Sequence, residues 1–451
     1  MNKALARRFA CAAAAVLLAA SLSAQAGAEH WVATWATSQT LVRGAGLGAG
    51  RGRGGTPPPP AAATPATPPP ASPAPASPFP GRRFPIPPIL PSLDNQTVRM
   101  VVRSSVGGRQ VRVRLSNAFS AATVTIGAAA IARSRGGAAI AASSSRALTF
   151  GGRASAPIYA GQTLISDPVE LPVPPLTDLV VSLYLPAEVE SRTNHLFGLR
   201  TTYVGAGNLT TAADIAAPVT TTESYYWLAG VDVLAPARTA TIVAFGDSIT
   251  DGDQSTPNRL AAWPTRLAER LQANRATSHL AVVNAGISGN RILGDNGGGL
   301  ARLVNDVIAQ PGISWIILLE GINDITAGIR QQTAAPPFTA DALIAAYRQV
   351  VAQAHLRGIR VAGATLTPCR GSSAYSDAGE TVRAAANEWI RHSGELDAVI
   401  DFDRAVRDPA DAARFRVEAD SPDLLHPGDA GYRMMADAID LAIFTKGPAG
   451  R

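Results

Sequence analysis

A serine hydroxyl becomes a nucleophile near neutral pH only if an imidazole takes its proton and a carboxylate holds that imidazole in the useful tautomer. This 451-residue sequence offers all three groups in two blocks. Ser248 stands in Ala244-Phe245-Gly246-Asp247-Ser248-Ile249-Thr250-Asp251-Gly252, just after an apolar run at 241–245 that reads as a buried strand. Such a position lies where open α/β sheets bind ligands, so the serine hydroxyl and backbone N–H can face one substrate atom. Asp423 and His426 lie in Asp423-Leu424-Leu425-His426-Pro427, and at this spacing both side chains can leave one turn toward one pocket. Between these ends come Asn284-Ala285-Gly286-Ile287-Ser288-Gly289-Asn290 and Glu320-Gly321-Ile322-Asn323-Asp324, each closing an apolar run. A glycine that lets a backbone N–H approach, and a side-chain amide, are what an oxyanion hole requires. Asn323 and Asp324 can equally cap the helix that follows, and for Asp324 capping is the expected role.

The elements that must position these residues are legible as an alternation. Strands are expected at 241–245, 280–284, 315–320, 359–366 and 398–402, and helices at 261–274, 300–309, 341–357, 380–392 and 430–444. Such a pattern builds a parallel sheet with helices on both faces, a flavodoxin-like three-layer α/β domain. All four blocks then fall at one edge of it. Residues 97–233 read instead as all-β. Val98, Met100 and Val102 alternate with Arg99, Val101 and Arg103, and Gly107-Gly108 turns into Val111-Arg112-Val113-Arg114-Leu115 with its arginines on a polar face, so a hairpin is expected across the two glycines. A β-sandwich of jelly-roll type is expected there. Tyr225-Tyr226-Trp227 suits the core of that sandwich better than a sugar-stacking platform.

Taken together, the four blocks resemble the SGNH (GDSL) hydrolase family, over roughly residues 238–446. Each is weak alone; the four in the family's order are specific. The resemblance implies that Ser248 is the nucleophile, His426 the general base and then acid, and Asp423 its orienting carboxylate. It implies an oxyanion hole made by the N–H groups of Ser248 and Gly289 and the amide of Asn323, with no metal or organic cofactor. Two-domain secreted esterases of this kind carry a β-rich N-terminal part, often linked to polysaccharide deacetylation. The expected activity is therefore hydrolysis of small acyl esters, acetyl groups on carbohydrate foremost, through an acyl-enzyme. The partner is then a small-molecule or polysaccharide ester. An O-acyltransferase to sugar hydroxyls, or a lipase or arylesterase, suits the same site. A non-catalytic glycan-binding protein is disfavoured, because no block lacks a member.

The ends and the composition narrow the remaining classes. Residues 1–28 read as a secretory signal, with Lys3, Arg7 and Arg8 before an apolar stretch too short to span a membrane comfortably. The expected location is periplasmic or extracellular. Residues 29–42 are expected to pack on the folded body with Trp31 and Trp35 buried, followed by a disordered insertion at 43–91, Gly/Arg-rich and then Pro/Ala-rich. The sandwich then covers 92–236 and the hydrolase domain 237–446. A net charge of +6 and a pI near 9.7 invite a nucleic-acid reading. Three of those charges leave with the signal, and Arg43, Arg51, Arg53, Arg82 and Arg83 lie in the tract, so the folded body is near neutral, about −2. No basic stripe of the kind a phosphate backbone demands remains. Cys369 is the one cysteine outside the signal, so no internal disulfide is expected. His279, His355 and His392 read as surface or helix histidines, and His30 and His195 carry no signal. Asp401 and Asp403 read as turn or pocket-rim residues closing a strand.

Overall fold

The computed structural model describes residues 28–41, 83–84, 88–294, 297–330 and 338–445. The expected signal, apart from Ala28, and most of the expected insertion lie outside the described residues.

The first part is built from β1 (Glu29–Ala36), β2 (Gln96–Arg103), β3 (Gly108–Ser116), β4 (Ala128–Gly136), β5 (Asp178–Leu185), β6 (Thr202–Ala206) and β7 (Leu228–Pro236), with shorter strands between them. One antiparallel sheet runs β1-β7-β3, and a second runs β6-β2-β5-β4. They share a core: Val111, Val113, Val231 and Val233 meet Met100, Ile131, Val181 and Leu183. Tyr225, Tyr226 and Trp227 are all buried in it, so none is a surface platform. The hairpin expected across Gly107-Gly108 does not form, because β2 and β3 lie in different sheets. The face of β2 that carries Arg99 and Val101 is not a polar surface but is buried as well. Its guanidinium donates to the carbonyls of Ala138, Leu209 and Ala212 at 2.7–2.8 Å, so residues folding back over the sheet satisfy it.

From residue 240 the chain forms β8 (Ala240–Gly246), β9 (Leu280–Gly286), β10 (Ile313–Leu319), β11 (Arg360–Ala364) and β12 (Ala398–Ile400). They pair in parallel in the order β9-β8-β10-β11-β12. Ile242, Val243, Ala244 and Phe245 are consecutive and all fully buried, as expected where helices cover both faces. The helices are α1 (Ser248–Asp251), α2 (Trp263–Ala273), α3 (Gly299–Arg302), α4 (Ile322–Arg330), α5 (Ala340–His355), α6 (Asp377–His392), α7 (Phe402–Val406) and α8 (Asp429–Asp437). α2 starts on Trp263-Pro264 and buries Trp263, Leu267 and Leu271 along one stripe. The expected helix at 300–309 is α3 followed by a π-helical stretch, Leu303–Ile308. The expected last helix stops at Asp437, and Leu441–Phe444 forms a separate 3-10 turn. α1 and α7 were not anticipated, and the helix expected after Asn323 begins already at Ile322. At α7 the apolar Phe402 mimics a strand residue, while Asp401 caps a short helix by accepting from the Arg404 N–H at 3.1 Å.

β1 joins the two halves. Val32 enters the sandwich core, whereas Ala33 and Ala36 enter the core of the α/β part. The Ala33 N–H donates to Pro311 O at 2.9 Å, and the Thr241 hydroxyl donates to Ala33 O at 3.2 Å. Trp31 and Trp35 are only half-buried, contrary to expectation. Trp31 lies under the Arg112 guanidinium at 4.5 Å, and Trp35 packs edge-on against Tyr225 at 4.9 Å.

Candidate active site

The end of β8 needs a residue without a side chain. A Cβ at Gly246 would sit 2.1 Å from Thr250 Oγ1 and 2.3 Å from Leu319 O, so only glycine lets the chain turn there. The next residue, Asp247, caps α1 by accepting from the Ile249 N–H at 3.0 Å. Its burial pushes the carboxyl pKa up to about 7, although the Ile249 hydrogen bond and the charges of His426 and Arg302 pull the other way. Ser248 is thereby fixed as the first residue of α1.

The Ser248 hydroxyl lies 2.7 Å from His426 Nε2. His426 Nδ1 donates to Asp423 Oδ2 at 2.7 Å. The sequence separation of 178 residues between serine and histidine is closed by α8, which follows the Asp423–His426 turn and packs on α2. Within that turn Leu424 adopts a left-handed backbone, φ +57°, and Asp423 Oδ1 accepts from the N–H groups of Leu425 and His426, both at 3.0 Å. Ser421 Oγ and Gln254 Nε2 add donors at 2.9 and 3.0 Å. Burial alone would raise the Asp423 pKa; the His426 hydrogen bond and charge, with the backbone donors, outweigh it and hold the carboxyl well below its ordinary value. At His426 burial works to lower the pKa, but Asp423 and the charges of Asp253 and Asp247 prevail and raise it.

The loop after β9 is tied from three directions. Ser288 donates through its N–H and hydroxyl to Asp251 Oδ2 at 3.1 and 2.9 Å, so it is bound to the last residue of α1. Asn323 Nδ2 donates to Asn290 O at 2.9 Å. Asp324 accepts from the N–H groups of Ile292 and Leu293, both at 2.9 Å. Asn323 thus spends this donor on the loop and not on the α4 terminus, whereas Asp324, which also accepts from its own N–H in the first turn of α4, anchors the loop as well. Gly289, at φ +78°, is flanked by Ser288, held to the Ser248 helix, and Asn290, held to Asn323. A primary amide has two N–H groups, so Asn323 keeps a second donor beyond its bond to Asn290.

Residues 244–434 match the GDSL-like lipase/acylhydrolase family. This stretch is a GDSL-like hydrolase domain. The protein is an ester hydrolase, and the match lies in its α/β part. Solved structures similar to this GDSL hydrolase include a lipolytic protein of the G-D-S-L family from Desulfitobacterium hafniense DCB-2, at 20% identity over 46% of this chain and 100% of that one, TM-score 0.34. A GDSL-like lipase from Bacteroides thetaiotaomicron VPI-5482 is 19% identical over 45% and 87%, TM-score 0.34. A mutant of an acetyl-xylooligosaccharide esterase from Geobacillus is 24% identical over 44% and 91%, TM-score 0.35. No curated protein matches the chain.

Sequence reasoning missed two residues of this GDSL hydrolase's site. Arg302, buried in α3, donates to Gly246 O at 2.8 Å, Ala285 O at 2.7 Å and Asn290 Oδ1 at 2.8 Å. It thus gathers the ends of β8 and β9 and the loop between them and α3. Its only trace in the sequence is a charge inside the apolar run 300–308. Gln254 bridges Asp423 to the Arg83 N–H, which donates to its Oε1 at 2.8 Å, and nothing in the pattern marks it. Asp401 and Asp403 serve the scaffold: Asp403 is buried between Arg383 and Arg391, at 2.8 and 2.6 Å.

The charges around His426 have a pH consequence. A general base works only when neutral, and a raised pKa keeps the imidazole protonated to a higher pH. The acid limb of kcat/KM should therefore lie above the ordinary imidazole value of about 6.5. In Asp423→Asn it should move to lower pH, while kcat falls by about 10³–10⁴ as the tautomer is lost. A limb that stays in place in the variant would mean that another group governs it.

Proposed function

We propose that this GDSL hydrolase cleaves small acyl esters, in particular acetyl groups carried on carbohydrate, through an acyl-enzyme. The reading rests on the Ser248–His426–Asp423 hydrogen-bonded chain. Ser248 Oγ attacks the ester carbonyl as His426 Nε2 accepts its proton, and Asp423 stabilises the imidazolium so formed. The tetrahedral oxyanion is bound by the N–H groups of Ser248 and Gly289 and by the free donor of Asn323. His426 then protonates the departing alcohol, and a water it activates releases the acid. A sugar as the alcohol part fits the surroundings. A cleft of about 890 Å³ between the two halves runs past Gly289, and the exposed Asn305 offers it a side-chain amide, whereas the amides of Asn290 and Gln310 that also line it are bonded within the protein. The export signal at 1–28 would place the enzyme where polysaccharide is met.

Acetylated xylo-oligosaccharides and p-nitrophenyl esters of rising chain length form the deciding panel. The expected result is a kcat/KM that falls as the acyl chain lengthens, with free acid as the product. A preference for long acyl chains would sink the acetyl reading, and a new ester in place of acid would identify a transferase.

Asn323→Ala tests the oxyanion hole. Losing one donor aimed at developing charge should lower kcat by about 10²–10³ with KM little changed. A variant that loses only stability and keeps its rate would reduce Asn323 to an anchor for Asn290.

A further inference from the structure

His195 comes from the β-rich part, yet it reaches the helix that carries the nucleophile. It sits at the end of the strand Thr193–His195, fully buried, with its ring stacked on Tyr225. Nε2 lies 3.0 Å from Asp251 Oδ1 and Nδ1 lies 2.9 Å from Ser38 O. A carbonyl oxygen only accepts, and so does a carboxylate, so both ring nitrogens must donate. That requires an imidazolium facing an ionised Asp251.

We propose that His195 is a positioning residue for the ester hydrolysis: it holds Asp251, and through Asp251 the Ser288–Gly289 peptide, in the arrangement that turns the Gly289 N–H toward the substrate oxygen. This inference rests on the oxyanion role given to Gly289 above. The path is short and continuous. Asp251 Oδ1 takes the His195 proton donor, and Oδ2 takes both donors of Ser288, the residue before Gly289. Asp251 is also the last residue of α1, whose first is Ser248. One carboxylate thus sets the spacing between the nucleophile's helix and the oxyanion loop, and the β-rich part supplies the cation that fixes it. Burial lowers the His195 pKa, but the Asp251 charge and hydrogen bond, with the Ser38 and Phe197 carbonyls, raise it above the ordinary value. Tyr225 covers one face of the ring, Asp306 lies near enough to interact electrostatically, and Arg302 bonds the Ser38 hydroxyl at 3.1 Å.

His195→Phe keeps the ring and removes both donors. With p-nitrophenyl acetate its kcat should fall on the order of 10–100-fold with KM within about twofold, less than loss of an oxyanion donor itself. Phenylboronic acid, whose adduct with Ser248 places an oxygen in the same hole, should lose affinity by the same factor. His355→Phe, which breaks a surface pair of His355 with Asp397 at 2.7 Å, should leave both quantities unchanged. If His195→Phe does not fold, His195→Phe/Asp251→Asn removes the unpaired carboxylate and carries the same expectation. Nitrogen-15 NMR of the wild-type imidazole provides a reading without any variant: both ring nitrogens of His195 should be protonated at pH 8. A neutral ring, or wild-type kcat and boronate affinity in the folded variant, would overturn the proposal. Activity surviving in Ser248→Ala would instead overturn the esterase mechanism on which it rests.

Discussion

Ser248→Ala is expected to lower kcat by about 10⁴–10⁶, and His426→Ala by the same amount. The double variant should lose little more, because the hydroxyl and the imidazole act as one unit through a 2.7 Å hydrogen bond. Melting temperatures should barely change in Ser248→Ala, since the deletion removes one oxygen from a site that is already nearly closed to solvent. Purified Ser248→Ala protein turning over p-nitrophenyl acetate near the wild-type rate, with contamination excluded, would falsify the nucleophile assignment. Losses that add in the double variant would show that the two groups serve separate steps.

The second large effect concerns stability as much as rate. Arg302→Met should cost about 3–5 kcal/mol, because it leaves the buried Glu320 and the half-buried Asp306 without their cation. Arg302 lies 3.5 Å from Asp306 and 3.9 Å from Glu320, and both acids have raised pKa values, chiefly through burial. A buried acid with a raised pKa stabilises the fold while it is protonated, and that contribution fades as pH rises through the folded value. Removing Arg302 raises those folded values further, so the loss of stability should be greater at pH 8 than at pH 5. Urea unfolding at the two pH values measures it. An equal loss at both would assign the effect to the carbonyls of Gly246 and Ala285, left without their donor.

What could be read in the sequence was whatever is local. Apolar runs of five to seven residues closing on glycine or a polar residue mark β8, β9 and β10, and the blocks that follow them carry the chemistry. Periodicity located α2, α5 and α6 within a few residues. The start of α4 was misplaced because it lies inside the Gly321-to-Asp324 block, whose polar residues read as the turn before a helix. The anchoring role of Asp324 was missed for a related reason: its partners, Ile292 and Leu293, lie about thirty residues away and form no pattern with it. Arg99 shows the same limit. An arginine in strict alternation looks solvent-facing, and only the fold reveals the three carbonyls that let it be buried. His195 and Asp251, 56 residues apart in different halves, could be joined only by the tertiary structure.

β1 also has a consequence for the order in which the molecule can assemble. It precedes the rest of the described chain, but its partner strand β7 lies roughly 200 residues further on, and Pro311 and Thr241, which it bonds, come later still. During synthesis this strand must wait, unpaired, until most of the polypeptide exists. Contacts between residues so distant in sequence slow folding, because chain entropy is lost before any contact repays it. Docking of β1 should therefore be among the last events of folding. It should also coincide with the moment at which the two halves lock together, so that a refolding experiment sees secondary structure well before it sees ester hydrolysis.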